Sequence, residues 1–433
     1  MKIALVFCKI DDAFNDCSAG VFSIFESNPP LGLGAIGTVG VLRRHEVKIF
    51  DQLLYKFNNE QLIEKIIEYK PDIIGFSSTT LNITNSIFCA KKLKQMLNCL
   101  TFVGGIHATL CAQSVLDKNA FDFLISGEGE EVFEEVLDRL ESNISLHTLK
   151  TQGFYLAGEN DNAGVAVLSD INQPIIDRSI FDIYKYKNKG ALIEETPCYS
   201  LFSSRGCPYK CRFCSKPSYF KNYRTRQVDK VITEIKYLID EFGAKAISFR
   251  EDNFTVDRER LKLFCNKMKE EFGGKFYWEC ESRADLPKEL IQLMYDSGCR
   301  GIWCGVETIV PKWSSWINKG LDKETVKRFY EDCDAVGIDT GALFMFGFPE
   351  QTEDELNDDV EFAISLPTRF SAFQCLAIFP GSPLEKYYNE HKELRHAVTD
   401  DVFLALTKGF NYRDMIRKEQ DINRRIKSRR LNQ

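Results

Sequence analysis

At 433 residues the chain is too long for one typical domain, and two or three are expected. Its net charge of −7 argues against a nucleic-acid binder that relies on bulk electrostatics, and its 44% hydrophobic content is ample for sizeable cores. No apolar run has bilayer length, and Met1 to Phe7, with Asp11 and Asp12 behind it, is too short for a signal peptide. A cytoplasmic protein with no membrane span is expected, in which fifteen cysteines are not a disulfide framework.

Lys2 to Phe7 reads as a buried strand. Leu31 to Val41, with Gly32, Gly34 and Gly37, reads as a helix packed very closely on a neighbour. Val47 to Phe50 is a second strand ending at Asp51, and Gln61 to Tyr69 puts Leu62, Ile63, Ile66 and Ile67 on one helical face. Strands follow at Asp72 to Phe76, Phe102-Val103 and Phe123 to Ile125, closed by Ser77-Ser78-Thr79-Thr80, Gly104-Gly105 and Gly127 respectively. Apolar strands alternating with amphipathic helices predict a doubly wound parallel sheet, which binds ligands at the carboxyl ends of its strands. Small polar residues and glycines at those ends would let a large flat ligand approach the backbone. A nucleotide or flavin sheet is the generic alternative, although no G-x-G-x-x-G follows the first strand.

Residues 141–195 read as a linker region, broken by Asn143, Gly153, the run Gly158 to Gly164 and Pro174. Tyr155-Leu156 and Val165 to Leu168 could form a small hairpin about that turn. A second α/β series starts at Tyr199. Its strand candidates are Tyr199–Ser203, Ala246–Arg250, Phe276–Cys280, Gly301–Val306, Gly341–Phe346 and Phe373–Phe379. Val231, Ile235, Leu238 and Phe242 form one intervening helical stripe, and Leu261, Phe264, Met268 and Phe272 another. Six strand–helix repeats are too few for a closed eight-strand barrel. The tail from Asn411 is rich in Arg and Lys, including Arg429 and Arg430. It reads as a solvated, partly helical end or as a guide for an anionic substrate or partner.

Between the first two strands of this series lies Ser203-Ser-Arg-Gly-Cys-Pro-Tyr-Lys-Cys-Arg-Phe-Cys-Ser215. Cys207, Cys211 and Cys214 stand at C-x3-C-x2-C. Three thiolates on one short loop can hold three irons of a [4Fe–4S] cluster and leave the fourth open to a ligand, unlike the usual four-cysteine site. Structural zinc is the competing reading, but zinc sites usually pair C-x2-C half-sites, and no second pair is present.

This loop resembles that of the radical S-adenosylmethionine (radical SAM) enzymes, and the chain resembles the subgroup with an N-terminal cobalamin-binding domain. The resemblance spans about residues 1–390 and rests on ordered blocks: Asn28-Pro-Pro-Leu-Gly-Leu, Gly104-Gly-Ile-His-Ala-Thr, Gly127-Glu-Gly-Glu-Glu, the cysteine loop, Phe249-Arg-Glu-Asp-Asn-Phe-Thr, Gly347-Phe-Pro and Pro380-Gly-Ser-Pro-Leu. It implies a Rossmann-like cobalamin-binding domain over 1–140, the linker over 141–195, a partial (β/α)6 barrel over 196–390 and a short helical, basic tail over 391–433. The implied cofactors are a [4Fe–4S] cluster on the three cysteines, S-adenosylmethionine and cobalamin.

For S-adenosylmethionine the resemblance points to Phe213, Glu251, Asp252, Arg283, Glu307, Gly347 and Pro349 at the barrel's strand ends. Carboxylates suit the ammonium, and Arg283 suits the carboxylate. Because Arg250-Glu251-Asp252 stands where a Gly-Gly-Glu-type block would fall, the carboxylate that meets the ammonium stays open. Structural ion pairs at the barrel mouth are the alternative for all these charges. For cobalamin it points to Pro30, Leu31 and Gly32, to Asp51, to Ser77, Ser78 and Thr79, and to Gly104, Gly105, His107, Gly127 and Glu128. A D-x-H-x-x-G motif is absent, so cobalt is expected to have no protein histidine, and His107 lies beside the nucleotide tail or simply packs. Cys280, Cys299 and Cys304 are read as buried small residues rather than a second cluster. Trp303, Trp313 and Trp316 could wall a substrate cavity or fill a core.

The implied activity is a cobalamin-dependent methylase that moves a methyl group to an unactivated carbon of a small molecule or peptide. It would work through a 5′-deoxyadenosyl radical and methylcobalamin, with a flavodoxin- or ferredoxin-type electron donor and no nucleic acid. A cobalamin-dependent cyclase or rearrangement enzyme is the alternative within the family. A methylthiotransferase is less favoured, since Cys8, Cys17, Cys89, Cys99 and Cys111 do not sit in the loops it would need. A non-catalytic cobalamin sensor is opposed by the intact cysteine loop.

Overall fold

The structure is a computed structural model describing residues 1–14, 28–159, 163–172, 175–220, 222–399 and 401–430, without the side chains of 429 and 430. Cys17, Pro174, residues 160–162 and the Arg429 and Arg430 side chains, all singled out above, lie outside the described residues. Two compact units divide the chain, the first running to Lys187 and including Ser218–Phe220, the second built from Asn188 onward.

The first unit is a six-stranded sheet of β1 (Lys2–Phe7), β2 (Glu46–Asp51), β3 (Ile73–Ser77), β4 (Leu100–Gly104), β5 (Phe123–Ile125) and β6 (Phe154–Leu156). Helices α1 (Leu31–Leu42), α2 (Asn59–Tyr69), α3 (Ile83–Met96) and α4 (Glu130–Glu141) connect or flank them. Strand order is β2-β1-β3-β4-β5-β6, parallel except for β6. The order reverses between β1 and β3, and a crevice opens at such a switch point. The α1 glycines are explained by close approach. A Cβ on Gly34 would lie 2.8 Å from Ile176 and Phe181, and one on Gly37 2.7 Å from Ile180. Tyr155-Leu156 does not form an independent hairpin. It pairs antiparallel to β5, and Ala166 bridges to Gly127, so this stretch completes the sheet edge.

The second unit carries β7 (Cys198–Leu201), the short pair β8 (Ser204–Arg205) and β9 (Arg224–Thr225), then β10 (Ala246–Phe249), β11 (Tyr277–Ser282), β12 (Cys299–Glu307), β13 (Asp339–Phe346) and β14 (Phe370–Cys375). Between them run α5 (Val228–Phe242), α6 (Arg258–Phe272), α7 (Lys288–Asp296), α8 (Pro311–Trp316), α9 (Lys323–Val336) and α10 (Glu353–Ser365). The six long strands form one parallel sheet in sequence order, β7-β10-β11-β12-β13-β14. Each is joined to the next through helix, which gives an open (β/α)6 array. Outward-facing residues such as Ile302, Cys304, Val306, Ala342 and Phe344 are almost fully buried against helices. Cys280, Cys299 and Cys304 are buried too, and burial pushes the thiols of Cys280 and Cys304 up.

The C-terminal region is more than a solvated helix. Ala377–Ile378, Arg395–Ala397 and Phe403–Ala405 form a small antiparallel sheet, followed by α11 (Tyr412–Arg430). Helix α11 buries Met415, Glu419, Ile422 and Ile426. Asn423 accepts from Phe373 N at 2.8 Å and donates to Phe373 O at 2.9 Å, while Glu419 accepts from Cys375 N at 2.8 Å. The open edge of β14 is thereby satisfied by side chains rather than left free to pair with another chain. Among the described residues no helix is long and apolar enough to cross a membrane.

Candidate active site

The cysteine loop leaves β7 and is bolted at its base. Glu251, just past β10, is buried and accepts from Ser203 N at 2.7 Å and from the Ser204 hydroxyl. Burial pushes its carboxyl up despite those donors. Arg260 donates to Ser203 O at 3.0 Å, and Arg226 donates to Phe202 O at 2.8 Å and to Glu234 at 2.6 Å. Gly206, at φ +82°, turns the chain into the loop.

The far side of the loop is held by residues 316–319. Arg212 N donates to Ile317 O at 2.9 Å, and its guanidinium to Trp316 O at 3.1 Å. Asn318 donates to Lys210 O at 2.8 Å, and Leu384 N to Arg212 O at 3.0 Å. Cys211 is buried, while Cys207 and Cys214 are half-buried, and all three are free thiols. Burial raises all three, Cys214 to about 11.

Beside Cys211 lies a buried ion pair: Lys319 Nζ is 3.0 Å from Glu307 Oε1. Burial penalises this ammonium, yet Glu307 and then Cys211 hold it above its ordinary range. Glu307 takes φ +70°, and Thr308 N donates to Val306 O at 3.0 Å across it, a tight γ-turn rarely adopted by a residue with a side chain. Asp359 on α10 imposes the turn by accepting from Ile309 N at 2.6 Å and from the Thr308 hydroxyl at 2.8 Å. Gly305 supplies the space, because a Cβ there would meet Glu307 Oε1 at 2.2 Å.

Burial pushes Asp359 up to about 7 from the ordinary aspartate value of 3.8. The native state therefore holds that proton to higher pH than the unfolded chain does. This group favours folding at low pH, and its contribution is lost as pH rises from about 3.8 to about 7. Asp359→Asn is expected to remove that slope. Urea midpoints at pH 5 and pH 8 should then differ less than in the parent protein, and an unchanged difference would refute the assignment.

The remaining candidates divide. Asp252 pairs with Lys216 through one oxygen, and its Oδ2 is buried without a hydrogen-bond partner. Arg283 stacks 4.1 Å over the ring of Tyr209 in the cysteine loop, donating to Lys319 O at 2.6 Å and to Asp285 at 3.1 Å. Phe213 packs beside Trp313, Met345 and Leu384. Gly347 and Pro349 belong to a turn docked on the C-terminal layer: a Cβ on Gly347 would meet Met415 at 2.8 Å, and Pro349 O accepts from Lys408 N at 3.0 Å. Trp313 and Trp316 pack with Phe348 and Leu384 in the same apolar core. Glu279, which no sequence pattern singles out, is buried in β11 and accepts from Ala191 N and Leu192 N at 2.8 Å, Ile193 N at 3.2 Å and Ser248 Oγ at 2.7 Å. It ties residues 191–193 across the inner face of the sheet.

In the first unit, the strand ends at the switch point are crosslinked by side chains that periodicity does not reveal. Asn82 donates to Cys8 O at 3.2 Å, and Asp11 accepts from Thr84 N and Asn85 N at 3.1 and 2.9 Å. Asp51 caps the turn after β2 and accepts from Tyr186 OH at 2.8 Å. His107 is buried beside Thr80, 3.3 Å from its hydroxyl. Glu128 accepts from Leu168 N at 2.8 Å. Gly105 and Gly127 are required by the fold itself. Their φ values are +97° and +91°, and a Cβ would lie 2.7 Å from Ser78 O and 2.3 Å from Ala166 O. What a side chain at Gly105 meets is thus the Ser78 backbone. Gly32 is different, being exposed at the start of α1 with nothing within 4 Å of its Cβ position; Pro30, before Leu31, is half-buried. The Ser78 and Ser126 hydroxyls, at the ends of β3 and β5, are buried without partners.

These observations fit the implied cofactors. Among the described residues no three His, Cys, Asp or Glu side chains converge on a single metal ion. A cluster asks for something else, thiolates spread over several irons, and Cys207, Cys211 and Cys214 on one loop meet that demand. Unpartnered buried hydroxyls at parallel strand ends suit a polar ligand there.

The profile described as Radical SAM superfamily matches residues 201–363, and that described as B12 binding domain matches residues 19–137. The chain belongs to the radical SAM superfamily, in the group with an N-terminal B12-binding domain, and is an enzyme. It is 28% identical over 89% of its length to the uncharacterized methyltransferase PH0819 of Pyrococcus horikoshii, covering 83% of that protein. To the anaerobic magnesium-protoporphyrin IX monomethyl ester cyclase of Cereibacter sphaeroides it is 26% identical over 83% of its length, spanning 60% of that relative. Its fold matches the radical S-adenosylmethionine methyltransferase TsrM of Kitasatospora setae, solved with cobalamin and a [4Fe–4S] cluster, with a TM-score of 0.72 and 16% identity, covering 92% of this chain and 76% of that one.

Proposed function

We propose that the chain is a cobalamin-dependent radical SAM methylase acting on an unactivated carbon of a small molecule or peptide. The observation that carries this reading is a bolted three-thiol loop at the carboxyl ends of a parallel sheet, in a chain that also has a B12-binding domain. When bound, the cluster with S-adenosylmethionine supplies a carbon radical that abstracts hydrogen, and cobalamin supplies the methyl group. Cys207, Cys211 and Cys214 would hold the cluster, and Glu251, Arg260 and residues 316–319 keep their loop in place. Asp252, with its unpartnered oxygen, is the carboxylate offered to the ammonium, since Glu251 already serves Ser203 and Ser204. Arg283, anchored on Lys319 O, is offered to the carboxylate of the same ligand. A one-electron reductant of the flavodoxin or ferredoxin type completes the system.

The protein, reconstituted anaerobically and loaded with hydroxocobalamin, should retain about one equivalent through gel filtration, as one preformed sheet-end site implies. It should also release 5′-deoxyadenosine from S-adenosylmethionine under a chemical reductant. Failure to cleave would refute the enzyme assignment. Cleavage followed by a substrate mass change other than one methyl group would favour the cyclase chemistry of the Cereibacter relative.

A further inference from the structure

Trp303, unlike Trp278, Trp313 and Trp316, stands on the concave face of the open sheet, half-exposed, between Ile302 and Cys304, which are buried on the other face. Strand register puts Glu281, Trp303, Gly341 and Phe370 in one row across β11, β12, β13 and β14. Glycine in mid-strand forgoes packing and usually marks a close approach. Here the approaching group is the indole, since a Cβ on Gly341 would lie 2.4 Å from Trp303 Cε3. The ring is laid flat across the next strand, where Phe370, itself 43% exposed, meets it edge-on at 5.4 Å. Among the described residues Trp303 Nε1–H is buried and has no acceptor.

The layers on either side explain why this row is open. Two residues nearer the strand starts, Gly301 is covered by Leu192, whose Cβ would be 2.9 Å from an added Cβ, and Glu279 pins that segment in place. Two residues further on, Gly305 leads to Glu307, Lys319 and the cysteine loop. The Trp303 row is therefore the first unfilled layer above a closed base, with an aromatic surface at one end and the exposed Glu281 at the other.

Resting on the methylase reading, we infer that this row is the substrate seat and that the substrate class is a molecule with a flat, apolar ring system bearing a hydrogen-bonding group. The ring lies on Trp303 and Phe370, and Trp303 determines specificity. An aromatic pair of this kind contributes beyond its area when a second ring stacks on it, and a buried N–H left without an acceptor favours a ligand that brings one.

The test uses the full chain with its cluster reconstituted and the flat naphthyl ketone 6-propionyl-2-(dimethylamino)naphthalene as probe, read by its emission. Saturable, blue-shifted binding is expected. Trp303→Ala should weaken it about tenfold. Gly341→Val, which leaves Trp303 in the sequence but evicts its ring, should weaken it similarly, and Tyr237→Phe, on helix α5, should leave it unchanged. Equal affinity across parent, Trp303→Ala and Gly341→Val, or no saturable binding, overturns the seat. Far-ultraviolet dichroism and melting identify any variant that has simply unfolded, in which case the other variant decides. Probe binding that tracks Trp303 in a protein unable to cleave S-adenosylmethionine would sink the methylase reading and leave the seat standing. Cleavage with probe binding indifferent to Trp303 would do the reverse.

Discussion

Cys211→Ala is expected to abolish the brown cluster chromophore and all reductive cleavage of S-adenosylmethionine. Cys211 is the central and most buried of the three thiols, and the chain on both sides of it is fixed, by Asn318 on Lys210 O and by Ile317 and Leu384 on Arg212. Among the described residues no other cysteine lies on this loop. The loss should therefore be complete rather than graded, and the same holds for Cys207→Ala and Cys214→Ala. Cys265→Ala, in the buried face of α6, should keep both properties. Iron content and anaerobic 5′-deoxyadenosine formation measure the outcome, and residual cleavage by Cys211→Ala would remove the cluster assignment.

The second large effect is expected at the buried pair beside that thiol. Lys319→Met leaves the Glu307 carboxylate largely buried without its cation and should cost about 3–5 kcal/mol of stability, as truncating one partner of a buried ion pair does. Glu307→Gln strands the ammonium instead. The double replacement removes both charges and should recover most of the loss. Denaturant unfolding of the four proteins forms the cycle; single and double variants that add within about 0.5 kcal/mol would mean the two groups do not act as a unit. The same cycle has a local readout, since Lys319 bears on Cys211: the reduction potential of the reconstituted cluster should fall when this positive charge is removed.

The alternation of apolar strands with amphipathic helices made both parallel sheets legible, because periodicity records which face of each element is buried. The three-thiol loop was legible because its cysteines stand close together in the sequence. Glu251 and Asp252 were legible as a pair of acids at a strand end, but not their division of labour. Which one is consumed by Ser203 and Ser204, and which keeps an oxygen unpartnered, depends on where β8 runs past β10. The glycines show the same limit. The close approach of the Ser78 backbone to Gly105 is not written in the sequence, and Gly341, read only as the start of a strand, proves to hold the Trp303 ring.

The basic tail is helical, as read, but it is packed rather than simply solvated, because Asn423 and Glu419 look like any polar residues until the unpaired edge of β14 is placed beside them. The sequence by itself determined the two parallel sheets and the three-thiol loop, since each is set by local pattern or by spacing within one loop. Only the tertiary structure decided what the remaining polar and aromatic residues do. Glu279, Asp359, Lys319 and Trp303 take their roles from partners 12 to 88 positions away, and cross-strand register and helix packing, not local pattern, bring such partners together.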